Sequence, residues 1–227
     1  MLFEPKEIIQ QLDSLYGPIE WSRRREPVPE LIVTILSQHT SDLNAERSYD
    51  ALMDTFGSLE SVTDANVDDI AVAIRHGGLA QQKAPRIKQV LNIIREKRGR
   101  LELDFLEELA LEDAKAWLMS LPGVGKKTTG VVLCFSFGMP AMAVDTHVHR
   151  VAKRLGLIES RTTADQAHDV LEEMLDPWQV YSFHVYLITH GRRICKAIRP
   201  LCDICPLVDR CLTGREHLQT YRSSSTG

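Results

Sequence analysis

Four of the five cysteines fall within residues 195–211, in the spacing C-x6-C-x2-C-x5-C. The segment between them has turn formers but too few apolar side chains for a core of its own. In a reducing compartment disulfides are rarely kept, so cysteines this dense indicate a metal site. Four thiolates suit either tetrahedral zinc or an iron–sulfur cluster. Zinc sites more often repeat C-x2-C pairs, and the single pair here favours iron–sulfur on Cys195, Cys202, Cys205 and Cys211. The fifth, Cys134, fits an ordinary buried cysteine of an apolar helix.

Helix signals recur along the chain, and strand signals are nearly absent. Pro5 and Gly17 bracket a first amphipathic segment, and Ser41 or Asp42 caps the segment that Gly57 ends. Short Gly, Asp and Pro connections suit compact helical packing. We therefore predict an all-α fold, with further helices over 29–40, 67–76, 81–99, 111–120, 126–137, 146–155, 163–175 and 177–190, and an unstructured end at 222–227.

Composition places the 227 residues among soluble globular proteins of one or two domains, with 44% apolar and 26% charged residues. No apolar run is long enough to span a membrane. The first residues carry acids and lack a basic-then-apolar export pattern, so we expect a cytoplasmic protein.

Charge is spread unevenly, although the net charge is only −4. Residues 101–113 hold six acids and no base, whereas residues 190–227 hold seven bases against three acids, a local charge of +4. Each stretch alone is typical of a solvated face. Together they favour one face that binds an anion and another that does not.

The stretch "LPGVGKKTTG" (121–130) is typical of a tight turn between two helices. Gly123 and Gly125 accept backbone angles closed to other residues and allow a bulky partner to come near. The amides at the start of the next helix then face outward, where a phosphate binds readily. A plain helix–turn–helix packing unit explains the same residues.

Two lysines, Lys126 and Lys127, open the apolar helix after this turn. The helix dipole and the neighbouring ammonium both disfavour protonation of Lys127, which leaves more of the free amine that a Schiff-base nucleophile requires. Asp145, in "AVDTHVHR", precedes another helix and by itself is a normal N-cap. A catalytic role for Asp145 requires that the fold place it opposite Lys127.

The motifs "LPGVGKKT" and "AVDTHVHR" and the cysteine spacing, in this order, resemble the endonuclease III family, bifunctional DNA glycosylases and abasic-site lyases of the helix–hairpin–helix superfamily. The likeness runs from "ILSQHTSD" to Cys211. It implies two helical domains flanking a DNA-binding cleft. One is a six-helix barrel domain carrying the hairpin (25–139), and the other is an iron–sulfur domain built from 1–24 and 140–227.

The resemblance also implies the chemistry. The family's nucleophile is the lysine directly before the Thr of "KT", which is Lys127, and its aspartate is Asp145. The four cysteines hold a 4Fe–4S cluster. The partner is double-stranded DNA with damaged bases or abasic sites, bound by a monomer at the nucleoid. The expected substrates are oxidised pyrimidines, with strand cleavage 3′ to the lesion by β-elimination.

The resemblance further implies the DNA contacts. A base that is rotated out of the duplex leaves a gap, and Leu79 in "IRHGGLAQQKA" corresponds to the residue that fills it. In "LSQHTSD", His39 stands where relatives often carry Gln or Asn, and Ala80 where a Tyr is common. Leu79 as a core leucine and His39 as a surface histidine are the simpler alternatives. The predicted DNA-binding residues are Gln38, His39, Leu79, Gly123, Val124, Gly125 and Lys126.

Three rival functions remain for this sequence. An adenine or mismatch glycosylase shares the hairpin but normally lacks its lysine; the adenine-specific branch also needs a glutamate where this chain has Val33, and it usually has an extra C-terminal domain. A non-catalytic DNA-binding module requires neither Lys127 nor Asp145. An iron–sulfur electron carrier has no use for the hairpin.

Overall fold

The computed structural model describes residues 3–224, with side chains for residues 3–218. That part of the chain contains twelve α-helices, four short 3₁₀ turns and no β-strand, so the predicted all-α fold is confirmed. None of these helices is long and apolar enough to cross a membrane. The helices are α1 (Pro5–Tyr16), α2 (Pro27–Leu36), α3 (Asp42–Phe56), α4 (Leu59–Asp64), α5 (Val67–Ala73), α6 (Ala80–Arg98), α7 (Leu111–Met119), α8 (Lys126–Phe137), α9 (Thr146–Leu155), α10 (Ala164–Glu173), α11 (Val180–Arg193) and α12 (Leu212–Ser224).

The chain forms two compact units. The hairpin unit is Arg23–Met139, and the cysteine unit is Met1–Ser22 with Pro140–Gly227, described here over 3–22 and 140–224. The sequence prediction places the first boundary between residues 24 and 25, whereas the structure has it between residues 22 and 23. The second boundary, between residues 139 and 140, is the same in both. The hairpin unit holds seven α-helices where the resemblance implies six, and two of the seven, α4 and α5, are only six and seven residues long.

In the hairpin unit, α2 is the central element and packs against α3, α6 and α8. Its apolar residues cover all sides of the helix, as expected for a helix surrounded by others. Leu31, Ile32, Ile35 and Leu36 are all fully buried. This packing fixes the C-terminal end of α2, from which the segment with Gln38 and His39 begins.

In the cysteine unit, α9 packs against α10, α11 and α12, and α1 packs against α11. The single proton of the Tyr186 hydroxyl of α11 is shared between two acceptors, Asp13 Oδ1 at 2.7 Å and the Gly17 carbonyl at 3.0 Å. These bonds join the N-terminal helix to the segment that follows residue 140. The described parts of the unit are therefore tied together although they are distant in the sequence.

Several helices begin at a residue whose side chain caps them. Ser41 accepts from the Asn44 amide at 3.3 Å, and Thr163 accepts from the Gln166 amide at 3.2 Å in a reciprocal capping box.

The sequence prediction missed α4 and α12. Because α12 runs to Ser224, an unstructured end is wrong for 222–224, while residues 225–227 lie outside the described part.

A buried carboxylate anchors the start of α2. Glu30 is fully buried and accepts a hydrogen bond from Arg24 Nε at 3.0 Å. Arg25 Nη1 lies 3.7 Å from the same carboxylate, and the Thr34 hydroxyl donates to it at 3.4 Å. Buried carboxylates require such partners because the lost hydration must be replaced.

We expect Glu30→Gln to lower the free energy of unfolding by about 2 kcal/mol, since charged hydrogen bonds are lost in a buried site. Glu26→Gln is the matched control, because Glu26 also pairs with an arginine (Arg23, 3.2 Å) but lies exposed. We expect it to change stability by less than about 0.5 kcal/mol. Denaturant unfolding of both variants checks this, and equal effects would contradict it.

Candidate functional site

The four clustered cysteine side chains line one cavity of the cysteine unit. Cys195 follows α11, Cys202 lies in the 3₁₀ turn Cys202–Ile204, Cys205 follows that turn, and Cys211 precedes α12. None of the four forms a disulfide. Other walls come from α9 (Val151, Arg154 and Leu155), from His190 of α11 and from Ile194, which follows α11.

Two of the sulfur atoms accept hydrogen bonds from the surrounding protein. Arg154 Nη1 donates to Cys195 Sγ at 3.4 Å, and the backbone N–H of Gly214 donates to Cys211 Sγ at 3.4 Å. Arg154 also donates to the carbonyls of Lys196 (2.7 Å) and Ala197 (3.1 Å), which holds the loop after Cys195 against α9. Donors aimed at sulfur stabilise bound thiolates at metal centres.

Burial favours the protonated form of three of the four thiols, Cys202, Cys205 and Cys211. Burial raises the pKa of the Cys205 thiol to about 12 and also raises the pKa of Cys202. His190 Nε2 lies 3.5 Å from Cys205 Sγ, and burial lowers the pKa of His190 to about 4. A neutral imidazole supplies no positive charge to the Cys205 sulfur, whereas a bound metal would favour its thiolate.

The donor set suits both metal centres that the spacing allows. Four thiolates bind either one tetrahedral zinc ion or the irons of a 4Fe–4S cluster. All four cysteines line the same cavity, so the residues present fit a 4Fe–4S cluster.

The predicted helical hairpin is present in the hairpin unit between α7 and α8. Gly123 has φ +73°, in the left-handed region, and a Cβ there would collide with the Arg86 side chain. The backbone angle therefore requires glycine, and any side chain here would also displace Arg86. The Val124 N–H donates to the Leu121 carbonyl at 3.2 Å, and Val124 is only 6% exposed. Val124 thus packs the turn.

The helix α8 begins immediately after the turn, with exposed Gly125 at its N-cap. Lys126 and Lys127 are its first two residues, and both are half-buried. Backbone N–H groups in the first turn of a helix have no acceptor within that helix. These amides and the lysine side chains are thus concentrated at one helix end, beside the turn.

Gln38 is held between the hairpin turn and α6. Its Nε2 donates to the Gly123 carbonyl at 3.1 Å, and its Oε1 accepts from Arg86 Nη1 at 3.0 Å. Both ends of the amide thus have protein partners. Arg86 is a residue that sequence reasoning missed, because Gln38, Arg86 and Gly123 are far apart in the chain and no local pattern links them.

His39 and Leu79 share an unusual backbone conformation. Their φ angles are +57° and +51°, in the left-handed region that non-glycine residues rarely adopt. His39 is exposed, and Leu79, the N-cap of α6, is 46% exposed. A strained backbone supports a functional role where the surrounding structure enforces it. The simpler alternative for Leu79, a core leucine, does not hold.

In the cysteine unit, Asp145 is the N-cap of α9. Its Oδ1 accepts from the Val148 amide at 2.7 Å, and the residue is half-exposed. The structure therefore gives Asp145 the capping role that the sequence suggests. Capping employs one of its two carboxylate oxygens.

The predicted site residues thus divide between the units. The structure brings Gln38 together with Gly123. The hairpin unit carries Gln38, His39, Leu79, Gly123, Val124, Gly125, Lys126 and Lys127, and the cysteine unit carries Asp145, Cys195, Cys202, Cys205 and Cys211.

Two protein families match the chain. Residues 32–177 match the HhH-GPD superfamily of base excision DNA repair proteins. Residues 195–211, the span from the first to the last clustered cysteine, match the iron–sulfur binding domain of endonuclease III. The second match confirms the predicted cofactor, a 4Fe–4S cluster, and covers the segment that contains the four clustered cysteines.

Related proteins and solved structures point to the same family. Endonuclease III of Thermotoga maritima is 37% identical over 191 residues, which cover 83% of this chain and 84% of the relative. Endonuclease III of Bacillus subtilis is 33% identical over 190 residues, 82% of each. The structure of a non-covalent endonuclease III–DNA complex superposes with a TM-score of 0.82 at 27% identity, covering 96% of this chain and 99% of the other. That of a trapped endonuclease III–DNA covalent intermediate gives 0.80 at 27% identity, covering 96% and 100%. The chain therefore belongs to the endonuclease III family of HhH-GPD base excision repair proteins and is a bifunctional DNA glycosylase and abasic-site lyase.

Proposed function

We propose that the protein removes oxidised pyrimidines from duplex DNA and cuts the strand 3′ to the resulting abasic site, through a Schiff base on Lys127. One observation carries the proposal. Lys127 lies at the start of α8, directly after a turn whose glycine is required by its backbone angle and lies against Arg86. A related endonuclease III is known as a covalent intermediate with DNA.

The proposed reaction proceeds through the amine of Lys127. The uncharged Nζ attacks C1′ of the damaged nucleotide, the C1′–N bond breaks, and the base leaves with the bonding electrons and takes up a proton. The resulting amine opens the sugar and forms an iminium. Removal of a C2′ proton then drives β-elimination, in which the C3′–O bond breaks and the phosphate leaves. Water finally releases Lys127.

Asp145 is proposed to stabilise the positive charge that develops on the sugar and to help deprotonate Lys127. The bond from the Val148 amide fixes the orientation of the carboxylate, which an electrostatic role requires. Capping and catalysis are therefore compatible at this residue.

The remaining DNA contacts are proposed from position. The amides of Gly125 and Lys126 bind a phosphate at the start of α8. Leu79 fills the gap left by the flipped nucleotide, and His39 faces the base opposite. Gln38 and Val124 support the turn, and through it these contacts. We also propose that the protein acts as a monomer on chromosomal DNA in the cytoplasm.

We expect Lys127→Ala to abolish covalent trapping by borohydride on two duplexes, one with thymine glycol and one with an abasic site. DNA binding, measured by fluorescence anisotropy, should be largely kept. Lys126→Ala is the matched control at the neighbouring lysine, and it should weaken binding but still trap. An adduct with Lys127→Ala equal to wild type would assign the nucleophile elsewhere.

Asp145 variants separate capping from chemistry. Asparagine caps helices as well as aspartate does, so Asp145→Asn should keep stability within about 1 kcal/mol. The loss of charge should slow thymine glycol excision at least about 10²-fold. Thr163→Ala, which removes the cap of α10, should lower stability by about 1 kcal/mol with unchanged excision. Unchanged excision by Asp145→Asn would leave Asp145 with capping alone.

The cysteine assignment predicts a spectroscopic difference. Purified protein should be brown, with four irons per chain, because each clustered thiolate binds one iron. Cys205→Ser should lose most of the visible absorbance. Cys134→Ala is the control, because this buried cysteine lies in α8 of the hairpin unit. Zinc in place of iron, or equal bleaching by both variants, would contradict the assignment.

A further inference from the structure

Lys83 is a buried charged residue to which the proposed chemistry gives no role. It lies on α6, four residues after Leu79, and is only 2% exposed. Its Nζ donates to the Leu36 carbonyl at 2.6 Å and to the Gly77 carbonyl at 2.7 Å. Burial, assisted by the positive charge of Arg86, lowers the pKa of Lys83. Burial of a lysine destabilises the folded protein unless hydrogen bonds such as these two replace the lost hydration of its amine.

The two carbonyls belong to different segments. Leu36 is the last residue of α2 and precedes His39 by three positions. Gly77 ends the 3₁₀ turn Arg75–Gly77 and precedes Leu79 by two positions. One amine thus links the starts of the two segments of the hairpin unit that carry a strained, exposed residue.

The neighbouring contacts leave little room between these segments. A Cβ on Gly77 would lie 2.9 Å from Ser48 Oγ and 3.8 Å from the Leu36 carbonyl oxygen. The Ser48 hydroxyl, which is fully buried, donates to the Ile74 carbonyl at 3.4 Å. The turn before Leu79 is therefore packed against the end of α2, with Lys83 bonded to both.

Left-handed backbone at a non-glycine residue costs on the order of 1–3 kcal/mol and persists only where the surroundings enforce it. We propose that Lys83 is a positioning residue that fixes the spacing between His39 and Leu79, and that this spacing is required to open a paired duplex at the lesion. The proposal rests on the function proposed above. Lys83 itself contacts no DNA in this scheme.

The test compares Lys83→Met with Lys88→Met. Lys88 is the matched control because it lies on the same helix and also donates to a backbone carbonyl, that of Ala65, at 2.6 Å, which belongs to the end of α4. Thermal unfolding of both variants measures how much the loss of such a hydrogen bond lowers the Tm. Single-turnover excision is measured on thymine glycol paired with adenine and on the same lesion in an unpaired bubble.

We expect Lys83→Met to slow excision from the paired duplex at least about tenfold, since displacement of about 1 Å is worth up to 10²-fold. Excision from the bubble, where the nucleotide is already unpaired, should fall much less. Lys88→Met should leave both rates within about twofold. Equal slowing of both substrates by Lys83→Met, or an unchanged paired rate, would overturn the proposal.

A double-mutant cycle adds a second readout. Leu79→Ala should slow paired excision in the wild-type background but have a smaller effect in the Lys83→Met background, because the leucine is already displaced. Additive effects would overturn the proposal. If Lys83→Met does not fold, Lys83→Gln replaces it; failure of both while Lys88→Met folds would assign Lys83 to the core. A wild-type protein inactive on both substrates would refute the proposed function itself.

Discussion

The unpaired backbone groups at helix ends are the constraint on which this structure depends. The twelve helices within residues 3–224 create many such ends, and each end needs a capping side chain, a turn, a bound group or water. The residues proposed to act on DNA lie at these ends. Lys127 is the second residue of α8, Asp145 caps α9 and Leu79 occupies the N-cap position of α6. Function is thus placed where the fold already leaves polar groups that require partners.

Because the helices are rigid, they hold the residues at their ends in defined positions. Because α2 is buried on all sides, the segment that follows it starts from a fixed point. Hydrogen bonds then connect the end of α2 to two turns. Gln38 bonds to the hairpin turn, and Lys83 bonds both to the end of α2 and to the turn before Leu79. Strained residues such as His39 are stable only with such support. The hairpin unit therefore presents its loops as parts of one packed body.

The sequence predicted the helices well and the long-range polar contacts not at all. Caps and apolar periodicity depend on residues three or four apart, so the start of α8 at Lys126 and of α9 at Thr146 agree with prediction. Short α4 lacks a strong periodic pattern and was missed. The bonds of Lys83 to Leu36 and of Gln38 to Gly123 join residues 47 and 85 positions apart. Nothing local in the sequence encodes them.

The capping and catalytic interpretations of Asp145 exclude each other only if a residue can have no more than one role. A carboxylate has two oxygens, and the cap engages Oδ1 with the Val148 amide. That bond restricts rotation of the side chain and so fixes the second oxygen as well. Electrostatic stabilisation of a transition state depends on groups that need not reorient during the reaction. A helix cap supplies this rigidity, so a residue typical of structure is also well suited to chemistry.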